Sequence, residues 1–421
     1  MNDVTFRSTA IPRFFYGYVV TAAGFWSWFI GWGSYTFCFG VFLKPLVAHF
    51  GWTRAEVSLA YALFFLVQAI MGIIMGWLTD RIGPRLLVLV FGSFLGISYL
   101  LMPLMTCLWH FYLLFALLGG IGASILLVPI MVTISRWFVK KRGFMTGIVQ
   151  SGISFGGLFF PPFAGWLIQN HGWRTAYTTL GIISLSGIFL SGLFIRRDPA
   201  EMGLFPDGMD TDPAPISENR HSEKNYAGPS LGAAFRMPQF WLILGIFAAF
   251  GFCRSTFNAH IAAHVQDLGF SLTDGANVMA VIALSSLIGR VGMGRLADVI
   301  GNRPALGISF ASTGLILLWC LFAGHLWQLY LFAAVFGFGW GAQAVLRFAV
   351  TSEAFGLVSL GLILGVLAFG ESLAAMIGSY LGGFLFDLSG SYAVVFWIGL
   401  ALSAAGFVFT WGLKTTPVRQ T

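Results

Sequence analysis

Four ionisable side chains stand inside long apolar runs of this sequence: Arg254, Arg290, Arg347 and Glu371. A charge at the centre of a membrane helix costs roughly 2.5–3.5 kcal/mol on insertion scales, so such groups face a protein interior, water or one another. The guanidinium presents a fixed fork of donors that matches a carboxylate. Three such groups against one acid leave positive charge that a small anion would neutralise in part. The pattern implies binding rather than bond-making. No His-Glu-x-x-His helix, nucleophile elbow or carboxylate pair is present, which argues against an enzyme, and no phosphate-cradling loop argues for a nucleotide as energy source. No cofactor and no metal is expected.

Within this set, Arg290 in Ile288-Gly289-Arg290-Val291-Gly292 is the first choice for anion contact, with a permanent pair to Glu371 as the alternative. Glu371, near the middle of its apolar run, can carry a proton or pair statically with Arg254 or Arg290. Arg254 is open to substrate or to Glu371. Arg347 lies nearer one end of its run, where snorkelling or Glu353 competes with a substrate role. His260 and His264 are one helical turn apart, and His260 is a candidate for proton capture. Among uncharged residues, Tyr35, Ser124, Trp340, Gln343 and Ser372 are candidates for the cavity lining.

The elements that must hold these residues are membrane helices. Of 421 residues, 57% are hydrophobic and 9% charged, against about 25% charged in soluble domains. The 53 Gly and 44 Phe suit helices packed in lipid. Apolar segments long enough to cross a bilayer run approximately over 14–43, 55–78, 86–106, 109–135, 144–169, 174–195, 238–265, 275–297, 304–324, 326–350, 358–386 and 391–413. The expected fold is therefore all-α, with twelve transmembrane helices. The first segment is read as a retained helix, with no cleavable signal ahead of it. Cys38, Cys107, Cys253 and Cys320 lie in apolar stretches and read as small core residues.

The net charge of +7 does not imply a nucleic-acid partner, because the basic residues cluster between apolar segments. Arg7, Arg13, Arg81, Arg85, Arg136, Lys140, Lys141, Arg142, Arg295, Arg303, Lys414 and Arg419 fall on one side, against Lys44, Arg54 and Arg174 on the other. By the positive-inside rule both termini are expected in the cytoplasm. The Pro-rich, acid-containing stretch 197–236 reads as a solvated linker between an N-terminal unit, 1–196, and a C-terminal unit, 237–421. A shift of 218 carries Gly76, Leu78, Asp80, Gly83 and Arg85 onto Gly294, Leu296, Asp298, Gly301 and Arg303. It also carries Gly143, Gly147, Gly152, Gly165 and Gly172 onto Gly361, Gly365, Gly370, Gly383 and Gly390. The halves are thus two similar six-helix bundles, and a repeat of this kind places a site at their interface. The four buried charges have no such copies: their counterparts fall near Thr36, Gly72, Ile130 and Ile153. The scaffold is duplicated and the charge is not, which points to function.

Gly76-Trp-Leu-Thr-Asp80-Arg81-Ile-Gly83-Pro-Arg85, with its degenerate copy ending at Arg303, resembles the cytoplasmic signature of the major facilitator superfamily. Further segments, in order, are similar to bacterial monocarboxylate transporters and their oxalate–formate antiporter relatives. These are Phe15-Tyr16-Gly17-Tyr18, Phe50-Gly51-Trp52-Thr53-Arg54, Arg136-Trp137-Phe138 and Pro206-Asp207-Gly208. The resemblance implies gating by Gly76, Asp80, Arg81, Gly83, Arg85, Arg142, Asp298, Gly301 and Arg303, and substrate carboxylate at Arg290. It implies proton-coupled transport of lactate-like monocarboxylates in the cell membrane, with carboxylate exchange or efflux of an amphipathic compound as alternatives. Partners are then a small organic anion, protons and lipid, and no obligate protein. The sequence departs from these relatives at Ser286, where animal members carry an acid one turn before the arginine. It departs again at Glu371, in a span where the oxalate exchanger carries a lysine.

Overall fold

The computed structural model describes residues 15–208, 229, 231–356 and 360–413. Arg7, Arg13, Lys414, Arg419 and most of the 197–236 linker lie outside the described residues. The chain forms α1 (Gly17–Phe50), α2 (Arg54–Ile82), α3 (Pro84–Leu104) and α4 (Leu108–Trp137). A long helical stretch, Arg142–Phe194, follows and breaks at Gly172, whose φ of 81° a side chain would strain. Its two parts are α5 (142–171) and α6 (173–194). After the linker come α7 (Pro238–Asp267), α8 (Leu272–Ile300), α9 (Asn302–Cys320), α10 (Leu326–Phe355), α11 (Leu360–Ser389) and α12 (Ala393–Gly412). Among the described residues, ten helical stretches are long and apolar enough to cross a membrane. One of them is α5 with α6, and α1 is long enough but enriched in Trp, Tyr, Ser and Gly, so twelve spans result.

Capping carries the repeat into three dimensions. Thr53 and Glu56 form a capping box at the start of α2, and Ser271 and Asp274 form one at the start of α8. These pairs are related by the same shift of 218. Each box satisfies two orphan N–H groups and fixes where its helix begins. Two positions depart from the sequence reading. The first helix continues through Pro45 to Phe50, seven residues past its expected end at 43. Cys107 is exposed in the turn before α4 rather than buried, while the other three cysteines are core residues as expected.

Close helix crossings rely on missing side chains. A Cβ on Gly152 would lie 2.5 Å from the Phe25 carbonyl of α1, and one on Gly251 would lie 2.5 Å from the Glu371 carbonyl of α11. The two six-helix halves meet through α1–α7, α2–α11 and α5–α8. A Cβ on Gly40 would meet the Asn258 carbonyl at 2.7 Å, and one on Gly383 the Arg54 carbonyl at 2.6 Å. Along α5–α8 contact runs from Gly165 against Ala276, through Gly157 against Ala283, to a 3.0 Å bond between the Ser154 and Ser286 hydroxyls. One turn further, Arg290 Nη1 donates to the Gln150 carbonyl at 3.2 Å. A Cβ on Gly143, Gly147, Gly294, Gly361 or Gly365 would meet nothing within 4 Å. Among the described residues, the side-chain bonds that join the halves lie at the end opposite the signature loops, the sealed end, and at mid-depth.

Candidate functional site

α7, α10 and α11 bring three of the four membrane-embedded charges together. Glu371 Oε2 lies 3.2 Å from Arg347 Nη2, and its Oε1 lies 3.7 Å from Arg254 Nη2. One carboxylate thus bridges two guanidinium groups. Their side chains are 8–13% exposed, so the ion pairs are largely removed from solvent. Gly251 of α7 leaves room for the glutamate, since a Cβ there would sit 2.8 Å from Glu371 Cγ. Aromatic faces complete the enclosure. Arg347 lies 3.8 Å from the centre of the Phe250 ring, and Arg254 lies 5.0 Å from that of Phe65 in the other half. Cation–π attraction of this kind strengthens as water is excluded.

Arg290 is placed differently. Its Nη1 donates to the Gln150 carbonyl of α5 at 3.2 Å, and its buried Nε has no partner. Among the described residues it makes no ion pair, so the alternative of a resting Arg290–Glu371 pair is not what the structure contains. Nor does Arg347 turn to Glu353, which accepts instead from Asn302 at 2.6 Å. Arg347 keeps Nε and Nη1 unpartnered as well. Three guanidinium groups against one carboxylate leave a formal excess of two positive charges, with free donors on two of them.

Of the uncharged candidates, Trp340 and Gln343 line a narrow void of about 10 Å³, the size of a single water, with Arg254, Phe250, Cys253, Thr313 and Phe336. Gln343 Nε2 donates to Thr313 Oγ1 at 3.0 Å, and Trp340 stacks on Phe37 of the N-terminal half, with ring centres 5.3 Å apart. Ser372 is beside Glu371, and its hydroxyl donates to the Ala368 carbonyl at 3.0 Å. Tyr35 and Ser124 are not brought to this void. The Tyr35 hydroxyl donates to the Phe115 carbonyl at 2.9 Å within the π-helical turn Tyr112–Leu118 of α4, and Ser124 bonds its own helix at Ile121. A wide turn frees a carbonyl, and Tyr35 satisfies it.

His260 belongs to a second cluster, at the sealed end. Its ring nitrogens meet the Ser379 carbonyl at 2.9 Å and the Tyr392 hydroxyl at 3.2 Å. There Asp267 of α7 accepts from both Nη groups of Arg54 at 2.6 and 2.7 Å and from Lys44 at 2.9 Å. Arg54 also donates to Tyr392 at 2.7 Å and lies 3.6 Å over Phe386. Asp387 accepts from the Arg54 and Ala55 backbone N–H groups at 3.1 and 2.7 Å. The bonds made by Lys44, Arg54 and Ala55 all join the two halves, whereas those of His260 to Ser379 and Tyr392 stay within the C-terminal half. Sequence reading counted Lys44 and Arg54 only as loop charges. Both partners of Arg54 lie more than 200 residues away in sequence, and no local motif links them.

At the signature end, Asp80 pairs with Arg136 at 3.0 Å and its carbonyl accepts from Arg197 at 2.9 Å. Arg81 lies over Trp77, Arg142 donates to the Ser135 carbonyl, and Arg303 donates to the Thr410 and Trp411 carbonyls. Gly83 and Gly301 turn the chain with φ of 82° and 91°, and Gly76 packs near Val128. Arg85 and Asp298 are exposed. These contacts all stay within one half. Asp207, in the Pro206-Asp207-Gly208 segment, accepts from the Val139, Lys140 and Lys141 backbone N–H groups at 2.8–3.3 Å and pins the start of the linker to the α4–α5 loop.

Two six-helix bundles around an enclosed charge cluster are the architecture of a multi-pass membrane transporter. The family described as Major Facilitator Superfamily matches residues 15–298 and 265–421, and the chain belongs to it. It is similar to Monocarboxylate transporter 13 of Bos taurus, with 28% identity over 382 residues covering 87% of this chain and 82% of that protein. It is also similar to the Agnestins efflux protein AgnL12 of Paecilomyces divaricatus, with 28% identity over 355 residues covering 83% and 76%. In fold it matches a bacterial homolog of the human lysosomal transporter Spinster. The TM-score is 0.70 at 17% identity, over 94% of this chain and 95% of that one.

Proposed function

We propose that this transporter carries a small monocarboxylate together with a proton across the cell membrane by alternating access. The observation that carries the reading is Arg290. It is a guanidinium in the membrane interior with no acid partner among the described residues, near the two arginines that share one glutamate. On this reading the signature end is cytoplasmic and the structure is the inward-open state. An entering carboxylate pairs with Arg290 and competes with Glu371 for the neighbouring arginines. A carboxylate stripped of its cations in an apolar site is neutralised by a proton. Anion and proton would then be bound together, and both bundles could rock around an uncharged load. Relatives named as monocarboxylate transporters support the substrate class.

The test is uptake of radiolabelled lactate into proteoliposomes with and without an inward proton gradient, comparing the wild type with Arg290→Ala. Gradient-stimulated uptake that the variant loses is the expected result. Uptake that survives in the variant would remove Arg290 from the site. The formal excess of two positive charges favours one second reading, exchange of dianionic carboxylates. Uptake would then require internal carboxylate and ignore the gradient.

A further inference from the structure

Gln68 of α2 is 5% exposed, and its Nε2 has no hydrogen-bond partner. A buried amide left in that state is costly, and native structures rarely leave one without a reason. Its surroundings follow from its own helix. Tyr61 and Phe65, on the same face of α2, meet α7: the Tyr61 hydroxyl accepts from Asn258 at 2.9 Å, and Phe65 faces Arg254. Its depth follows from α11, which runs antiparallel to α2 with Gly383 against Arg54. Gln68 is 14 residues below Arg54, and Glu371 is 12 residues below Gly383. At about 1.5 Å per residue both lie roughly 20 Å from the sealed end. Gln68 therefore stands at the level of Glu371 and Ser372.

The internal repeat gives an independent check. The shift of 218 carries Gln68 onto Ser286 and Ser154 onto Ser372. Ser154 and Ser286 are bonded to each other across the α5–α8 crossing at 3.0 Å. Gln68 and Ser372 occupy the equivalent places at the α2–α11 crossing, on opposite halves. There the bond is absent: Ser372 turns back to its own helix and Gln68 Nε2 is unpartnered. One crossing is closed by a polar pair at this depth, and the other holds its polar pair apart beside the charge cluster.

We propose that Gln68 and Ser372 form a clamp that reads a second oxygen on the substrate, while the arginines hold its carboxylate. The inference rests on the anion-transport reading above. An amide and a hydroxyl each both donate and accept, so the pair suits a hydroxyl, an oxo group or a further carboxylate oxygen. A site built this way discriminates against an analogue that lacks the oxygen, because its own polar groups are then left bare.

The experiment compares lactate with propionate, which differ by one hydroxyl, in proteoliposomes holding wild type, Gln68→Met, Ser372→Ala or Arg290→Ala. The wild type is expected to prefer lactate. Gln68→Met is expected to lower that preference roughly five- to tenfold, the worth of one hydrogen bond. Propionate uptake is expected to persist and serves as the control for folding. Ser372→Ala should shift the ratio in the same direction. Should Gln68→Met not turn over, thermal-shift binding of the two acids to the purified protein reads the same ratio. An unchanged ratio, or an equal loss of both acids, overturns the clamp while leaving the Arg290 reading intact. Wild-type protein that neither transports nor binds either acid overturns both.

Discussion

Asp267→Asn should move this transporter out of its present conformation. Asp267 accepts three charge-assisted bonds at 2.6–2.9 Å, two from Arg54 and one from Lys44, and all cross between the halves. The Lys44 side chain is 30% exposed, so its share falls in the range of about 0–1 kcal/mol typical of surface pairs. The Arg54 side chain is 10% exposed, and each of its bonds is worth about 1.5–3 kcal/mol. An amide keeps one acceptor and loses the charge, so about 2–4 kcal/mol should leave the sealed state. None of it would leave the opposite, outward-open state, in which these partners would be apart. At about 1.4 kcal/mol per tenfold, the equilibrium shifts by roughly 30- to 1,000-fold. The assay is labelling of Ser58→Cys by a membrane-impermeant maleimide, in a Cys107→Ser background that removes the exposed native thiol. Ser58 is fully buried and faces His260 of the other half at 3.5 Å. The labelling rate should rise at least about tenfold when Asp267→Asn is added. A rate within twofold of the parent would refute the assignment of this cluster as the lock.

Glu371→Gln should abolish stimulation by a proton gradient while sparing exchange of labelled for unlabelled substrate, since the amide keeps the volume and cannot carry a proton. Loss of both activities, or gradient stimulation at wild-type strength, would count against Glu371 as the carrier. Tyr35→Phe should lower thermal stability by about 1–2 kcal/mol, because the Phe115 carbonyl in the π-helical turn is left without its donor. Substrate affinity should stay unchanged, and a weakened affinity would return Tyr35 to the site.

The spans, the repeat and the buried charges were legible in the sequence because each is a statement about composition or spacing. An Arg in an apolar run is visible wherever the chain carries it. What stayed hidden was pairing. Glu371 sits 24 residues from one arginine partner and 117 from the other, and nothing local says that one carboxylate serves both. Asp267 and Arg54 each look like ordinary loop charges until α2 and α7 are placed side by side. Tyr35 misled in the opposite sense. It lies on a helix expected to line the cavity, but its hydroxyl answers a backbone irregularity in α4 that no periodicity reveals. Gln68 raised no signal at all, since a single amide in an apolar helix is neither costly enough nor charged enough to stand out.

The bare glycines at the signature end have a bearing on how the resting state is chosen. Gly143 and Gly147 repeat the four-residue spacing of Gly152 and Gly156, which are tightly seated against α1, yet a Cβ on Gly143, Gly147, Gly361 or Gly365 would meet no described atom within 4 Å. On the alternating-access reading proposed above, these would be surfaces on which the halves close at the signature end. The molecule would then carry two sets of mating surfaces, engaged in turn. The balance between its two orientations would depend on how well those distant surfaces fit. Side-chain volume added at one end would tilt the whole cycle without altering a single group that touches the cargo.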